Sequence, residues 1–321
     1  MPSTLDSGVQ ALLKSAILID FRESGTAGLV SMEGPDTEAL LQGVVSQDVK
    51  ALPPGRHARA LLLTPKGGLI ADLAIQRLRP DAFLVACDGL VRETVATKLA
   101  RYVITEDVVV KDVTADHAVL ALRGPRAAAI AGPEATALEP GALAVTARGV
   151  VFVRSETHGL AGVDLVVPRD AADSERSRLV AAGAVPVDAA FAEGLRVEEG
   201  GLRSGKDADE SNLGPETRLE AVAVSYTKGC YVGQETIARI KTYGQVNRLL
   251  VGLTFEGEPA REGDAIAVDG KEAGRVTTVA FAPRLGRPAA LAIVRREHAE
   301  PGTRLAAGAA TAVVKALPLV S

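Results

Sequence analysis

The spacing of apolar positions changes along this chain, and each change predicts a different kind of element. A short apolar run at 27–32 leads into Gly34-Pro35-Asp36 and then TEALLQG. Proline at a helix start, with Asp36 and Glu38 in the first turn, predicts a strand followed by a helix. The same grammar returns at 118–131, where an apolar run precedes Gly124-Pro125 and RAAAIAG. The pattern fits either one strand–Gly-Pro–helix unit used twice or two ordinary strand-to-helix turns. Between them, 57–63, 69–78 and 82–86 predict strands. Asp88 is placed to cap a helix whose apolar face is Val91, Val95, Leu99 and Val103, and 107–113 returns to strand.

Further on, 150–154 and 162–167 predict strands, 170–182 predicts a charged amphipathic helix, and a second helix starts after Asp188 and runs toward Arg196. From 201 to 220 the chain is polar and Gly-rich, and a loop of that length is functional or mobile in most compact domains. After about 245 the period becomes two: Leu249, Val251, Leu253 and Phe255 alternate with other residues, as one buried strand face does. Asp269-Gly270 between short apolar runs predicts a two-residue hairpin. More short strands follow near 276–282, 289–295 and 311–316, a pattern that predicts a small antiparallel barrel or sandwich.

Composition narrows the function classes. With 321 residues there is room for two or three domains. Hydrophobic residues make up 47% and charged ones 24%, which argues for a globular chain. The net charge of −4 supplies no global basic field for nucleic acid or an anionic membrane. Aromatics at 3% leave little surface on which to stack single-stranded bases. Cys87 and Cys230 cannot make a disulfide framework, no Cys-x-x-Cys spacing occurs, and no metal site is expected. The first residues carry Asp6 and no basic stretch, and no apolar run approaches roughly 18 residues. A cytoplasmic protein without membrane or direct nucleic-acid partners is the expectation.

Reactive residue types concentrate between 226 and 248, where three of the four tyrosines and one of the two cysteines fall. Gly229 and Gly233 bracket Cys230, and QETIARIK after them can begin a helix. A thiol beside a helix N-terminus and two residues from Lys228 would have its thiolate favoured. The same spacing also suits a small turn whose cysteine is a buried hydrophobe. Cys87, inside the apolar run FLVAC, reads as packing. His57, His117, His158 and His298 are scattered without ligand spacing.

Lys228-Gly229-Cys230-Tyr231-Val232-Gly233-Gln234-Glu235 resembles the KGCYxGQE signature of the YgfZ proteins, folate-binding relatives of the glycine-cleavage T-protein. The resemblance spans nearly the whole chain. It includes Leu41-Gln42-Gly43 with Gln47-Asp48-Val49, then Leu63-Thr64-Pro65-Lys66-Gly67-Gly68 followed by Asp72. It continues in Leu195-Arg196-Val197-Glu198-Glu199-Gly200, in Asn212-Leu213-Gly214-Pro215-Glu216, and in Gly274-Arg275-Val276 with Ala290-Leu291-Ala292. The turn at 66–68 departs from the Gln-Gly-Arg of many YgfZ sequences and drifts toward the T-protein's glycines. In true aminomethyltransferases the KGCYxGQE stretch reads differently, without the Cys or the Gln-Glu pair.

The resemblance implies an α+β fold of three domains in a ring. One domain would take 1–44 and 115–245, a second 45–114, and a C-terminal β-barrel 246–321. It implies tetrahydrofolate, or a one-carbon derivative, as cofactor. Glu198 would hold the pterin's amino-pyrimidine edge, since a carboxylate accepts two parallel N–H donors; alternatively it is a solvated helix-end charge. Asp72 would lie near the folate's reactive nitrogens, or be an exposed strand-end acid. Arg196, Tyr231, Gln234, Glu235 and Arg239 complete the implied cofactor set, with Lys241, Arg248, Tyr226 and Tyr243 as further candidates. Cys230, Lys228 and Asp72 are the implied catalytic residues.

The implied function is a monomeric accessory factor for iron–sulfur cluster assembly or repair, including enzymes that thiolate tRNA. Its partners would be folate and iron–sulfur assembly or client proteins. A folate-dependent aminomethyl or one-carbon transferase is the first alternative, and a partner-binding scaffold the second.

Overall fold

A computed structural model describes residues 4–155 and 160–320. Its strands form two open sheets and one closed barrel. The first sheet has six strands, in spatial order Val185–Val187, Ile17–Asp20, His117–Arg123, Gly162–Pro168, Val151–Ser155 and Leu143–Val145. The second has five: Arg56–Leu63, Leu69–Arg79, Ala82–Asp88, Ala27–Glu33 and Val109–Asp112. Strand Ala27–Glu33 is hydrogen-bonded inside this second sheet, so the sheet draws on chain well before residue 45. Leu29 and Leu84 of the second sheet meet Val151, Val153 and Val166 of the first in one apolar cluster, which joins the two face to face.

The two Gly-Pro units both turn from strand to helix, and each glycine lies at positive φ against a foreign carbonyl. A Cβ on Gly34 would stand 2.0 Å from the Asp107 oxygen, and one on Gly124 would stand 2.6 Å from that of Ser15. Only glycine fits there. One unit serves each sheet.

The last quarter closes into a six-stranded antiparallel barrel around Val251, Leu253, Ile266, Val276, Val294 and Val314. Asp269 and Gly270, at φ 51° and 75°, make the tight turn between Ala265–Val268 and Lys271–Ala282. Both central residues of such a turn need positive φ, which Asp-Gly tolerates. Fold class and barrel therefore follow the expectation, as mixed α/β units with a C-terminal antiparallel barrel.

Two helices carry the candidate site. Ala189–Glu199 starts where the Asp188 carboxylate accepts the Phe191 N–H at 2.8 Å, and ends at Gly200 with φ +73°. It lies on the barrel strand Lys271–Ala282, where a Cβ on Gly194 would meet the Phe281 oxygen at 2.0 Å. Gln234–Tyr243 follows the Cys230 segment and begins at Gly233, φ +83°.

Candidate functional site

The segment 222–232 is strapped to the end of helix Thr37–Val44 and the turn after it. Gln47 Nε2 donates to the Val222 carbonyl, Ser46 Oγ to that of Ala223 at 2.6 Å, and Ser225 N to that of Ser46. Val232 N reaches the Gly43 carbonyl. Between these ties, Lys228 turns inward. Its ammonium donates to the carbonyls of Gln42, Val45 and Gln47 at 2.6, 2.7 and 2.9 Å, and stands 5.0 Å from the Tyr231 ring centroid. Burial pushes this ammonium down to about 8, against the pull of Asp48.

Cys230 does the opposite. It is exposed, and a Cβ on neighbouring Gly229 would meet nothing within 4 Å. The reading of Cys230 as a buried hydrophobe is thereby set aside. Cys87 packs against the core of the second sheet, where burial first, then the charges of Asp88 and Asp112, push its thiol up to about 12.

Tyr231 is buried, and its hydroxyl is pushed up to about 12 by burial and then by Glu220. Its N–H is accepted by Gln234 Oε1 at 3.3 Å. Glu235 and Arg239 are exposed on the helix that follows. Tyr226 donates to Glu220 at 2.5 Å with Lys241 over its ring, so a salt-bridged cluster holds both candidates. Arg248 is tied to Glu216 and to the Ser211 carbonyl. The Tyr243 side chain and His158 lie outside the described residues.

The start of this helix presses on the turn at 64–68. A Cβ on Gly233 would stand 2.6 Å from the Thr64 oxygen, and one on Gly67 would stand 2.9 Å from Thr236 Cβ. The strand after that turn carries Asp72, whose carboxylate takes both Nε and Nη2 of Arg59, at 2.8 and 2.5 Å. Asp72 remains partly exposed, and its N–H donates to Ser204 Oγ.

Arg196 and Glu198 belong to a different neighbourhood. All five donors of the Arg196 guanidinium are occupied, by Glu193 twice, Asp207, Thr278 and the Gly201 carbonyl. Asp207, fully buried, collects Arg196, Arg203 N, Thr277 and Thr278, and so ties the 201–210 loop to the barrel. Burial pushes the Glu193 carboxyl up, but Arg196 and then Lys206 and Arg203 outweigh it and hold it down at about 2. Arg196 orders this junction and keeps no N–H for a ligand.

Glu198 has zero exposure. Its Oε1 accepts the backbone N–H groups of Arg284 and Leu285 at 2.6 and 3.0 Å, and its Oε2 accepts Arg284 Nε at 2.8 Å. The Arg284 guanidinium also bridges to Glu199. The solvated-charge reading of Glu198 fails, and so does a freely available paired edge. Val197, between Arg196 and Glu198, shares a core cluster with Leu202 and Ala208 of the 201–210 loop and with Tyr231 and Ile237 of the Cys230 region. Sequence reasoning missed Arg59, Arg284, Glu193, Asp207 and Ser204, and no local motif marks them.

The closed barrel following two sheets joined face to face is an assembly with known relatives. Residues 3–228 match the GCVT N-terminal domain and residues 248–320 match the glycine cleavage T-protein C-terminal barrel domain. The chain belongs to the glycine-cleavage T-protein family. An aminomethyltransferase of Rubrobacter xylanophilus is 32% identical over 282 residues, 84% of this chain and 74% of the relative. A putative chloroplastic transferase of Arabidopsis thaliana is 25% identical over 323 residues, 94% of this chain and 71% of that one. The solved glycine cleavage system aminomethyltransferase T of Bartonella henselae superposes with a TM-score of 0.85 at 23% identity, covering 95% of this chain and 86% of its own. The T-protein domain matches stop at 228 and resume at 248, so Cys230 stands in the stretch between them.

Tetrahydrofolate is a trait of this family. In the arrangement described, Asp72 fits such a ligand: it is partly exposed and keeps acceptor positions beside Arg59. Glu198 does not fit as a free pterin anchor, because Arg284 and two backbone N–H groups already hold it.

Proposed function

We propose that this T-protein relative is a YgfZ-type accessory protein that binds folate and works through the Cys230 thiol on iron–sulfur proteins. The observation that carries this reading is the contrast between Cys230 and its frame. Lys228 and Tyr231 on either side of the Gly229-Cys230 pair are tied down, while the thiol is exposed. An exposed thiol on an anchored tip is suited to meet a second macromolecule, such as an iron–sulfur assembly or client protein.

The names of the relatives favour a second reading, aminomethyl transfer on tetrahydrofolate. Against it stand the two carboxylates, Asp72 and Glu198, each already engaged by an arginine, Arg59 and Arg284. Bound folate would supply one-carbon chemistry, with Asp72 as its contact on this chain. The accessory protein acts as a monomer in the cytoplasm, without direct contact to nucleic acid.

The test is complementation combined with ligand titration. Cys230→Ala should bind tetrahydrofolate and its formyl and methylene forms as the unaltered protein does. It should fail to restore iron–sulfur enzyme activity, including tRNA thiolation, in cells lacking the protein. Full rescue by Cys230→Ala, or glycine-dependent turnover of methylene-tetrahydrofolate by the purified protein, would favour the transferase.

A further inference from the structure

Lysine two residues before a working cysteine invites an electrostatic explanation, in which the cation lowers the thiol's pKa. The geometry assigns Lys228 a different task. We propose that Lys228 is a positioning residue, which caps the C-terminal end of helix Thr37–Val44 from across the chain and thereby fixes the Cys230 tip. The inference rests on the reading of Cys230 as the working group.

Three observations lead to it. First, all three ammonium protons are directed to backbone carbonyls, those of Gln42, Val45 and Gln47. The last carbonyls of a helix have no partner within it, and the negative end of the helix dipole favours a cation there. Lys228 meets this need from 186 residues away in sequence. Second, the cation is buried, at 8% exposure, while Cys230 is exposed. The ammonium contacts the three carbonyls and, at 5.0 Å from its centroid, the Tyr231 ring. Third, the remaining ties of the segment flank it on both sides: Ala223 and Ser225 to Ser46, and Val232 to Gly43. Lys228 is the central fastening of a strap on which Gly229-Cys230 stands exposed.

The chemistry of the fastening is specific. Three carbonyls converging on one nitrogen suit a tetrahedral ammonium with three N–H donors. A guanidinium carries the same charge, but its flat fork sends donors into one plane, so Arg cannot reproduce the contact. Met keeps the length and apolar stem and removes all three donors. The pair Lys228→Met and Lys228→Arg therefore separates charge from geometry.

The experiment uses the full-length protein in a Cys87→Ala background, so that Cys230 is the sole thiol. In Lys228→Met and in Lys228→Arg, amide exchange at Ser225 and Val232 should quicken roughly tenfold or more, with barrel amides unchanged. The midpoint of Cys230 alkylation against pH should stay within about 0.3 of its original value, a twofold change in thiolate fraction. Tetrahydrofolate affinity should hold within about twofold, while support of iron–sulfur enzyme activity per folded molecule falls in both variants. A raised alkylation midpoint with unchanged exchange would make Lys228 an electrostatic activator and overturn the proposal. So would full function in Lys228→Arg with Lys228→Met inactive. If Cys230→Ala is fully active, the accessory function fails, and the exchange measurements still decide whether Lys228 holds the strap.

Discussion

Replacing Glu198 by Gln separates an interdomain staple from a ligand anchor. Oε1 serves two backbone N–H groups of the 282–287 turn and Oε2 serves Arg284 Nε, all at full burial. A glutamine can keep its oxygen toward the two backbone donors, but its amide nitrogen then faces the Arg284 N–H, donor against donor. A hydrogen bond to a charged group contributes about 1.5–3 kcal/mol, and a stranded buried donor costs about 1–3 kcal/mol. Arg284 keeps its bridge to Glu199 and is 14% exposed, which softens the second effect. The expected loss is about 2–4 kcal/mol, concentrated where helix Ala189–Glu199 meets the barrel. Urea unfolding followed by barrel and helix probes measures it. Arg284→Ala should cost a similar amount, and the double variant should cost less than the sum, since one contact is removed twice. Unchanged stability in Glu198→Gln, with tetrahydrofolate affinity reduced tenfold or more, would show that the carboxylate faces the ligand and would refute the argument.

Three further outcomes follow from the same contacts. At pH 8 an alkylating reagent should modify Cys230 and spare Cys87, whose thiol at about 12 is ionised in roughly one molecule in ten thousand; equal labelling by mass spectrometry would contradict the assignment. Gly270→Val should lower barrel stability by about 1–2 kcal/mol with folate affinity unchanged, because φ is +75° although the space around it is open; an unaltered melt would mean the turn tolerates the side chain. Glu193, held at about 2 against an ordinary 4.5, should contribute up to about 3 kcal/mol of stability above pH 4.5 that fades as pH falls toward 2; Glu193→Gln should flatten that part of the stability profile, and an unchanged profile would remove Glu193 from the acid response.

What the sequence disclosed divides along the range of the interactions involved. The Asp269-Gly270 turn, the Asp188 cap and the strand–Gly-Pro–helix units are decided by residues within a few positions, and each is where the pattern placed it. The barrel followed because period-two strands with frequent turns have few other ways to bury one face. Strand Ala27–Glu33 was legible as a strand, but the sheet it joined was not, since its neighbours begin at Ala82 and Val109. The candidate site shows the same division more sharply. Its residues could be named from spacing and resemblance, yet what each does depends on partners far along the chain. Arg284, 86 residues beyond Glu198, turns a presumed ligand acid into a staple. Asp207, in a stretch so polar that it read only as a long loop, is buried and collects four donors. Lys228 and Cys230, two positions apart, have opposite fates because Gln42, Val45 and Gln47 present carbonyls to one of them and nothing covers the other. Spacing places chemical groups near one another in the chain; the long-range acceptor decides which of them is left free to react.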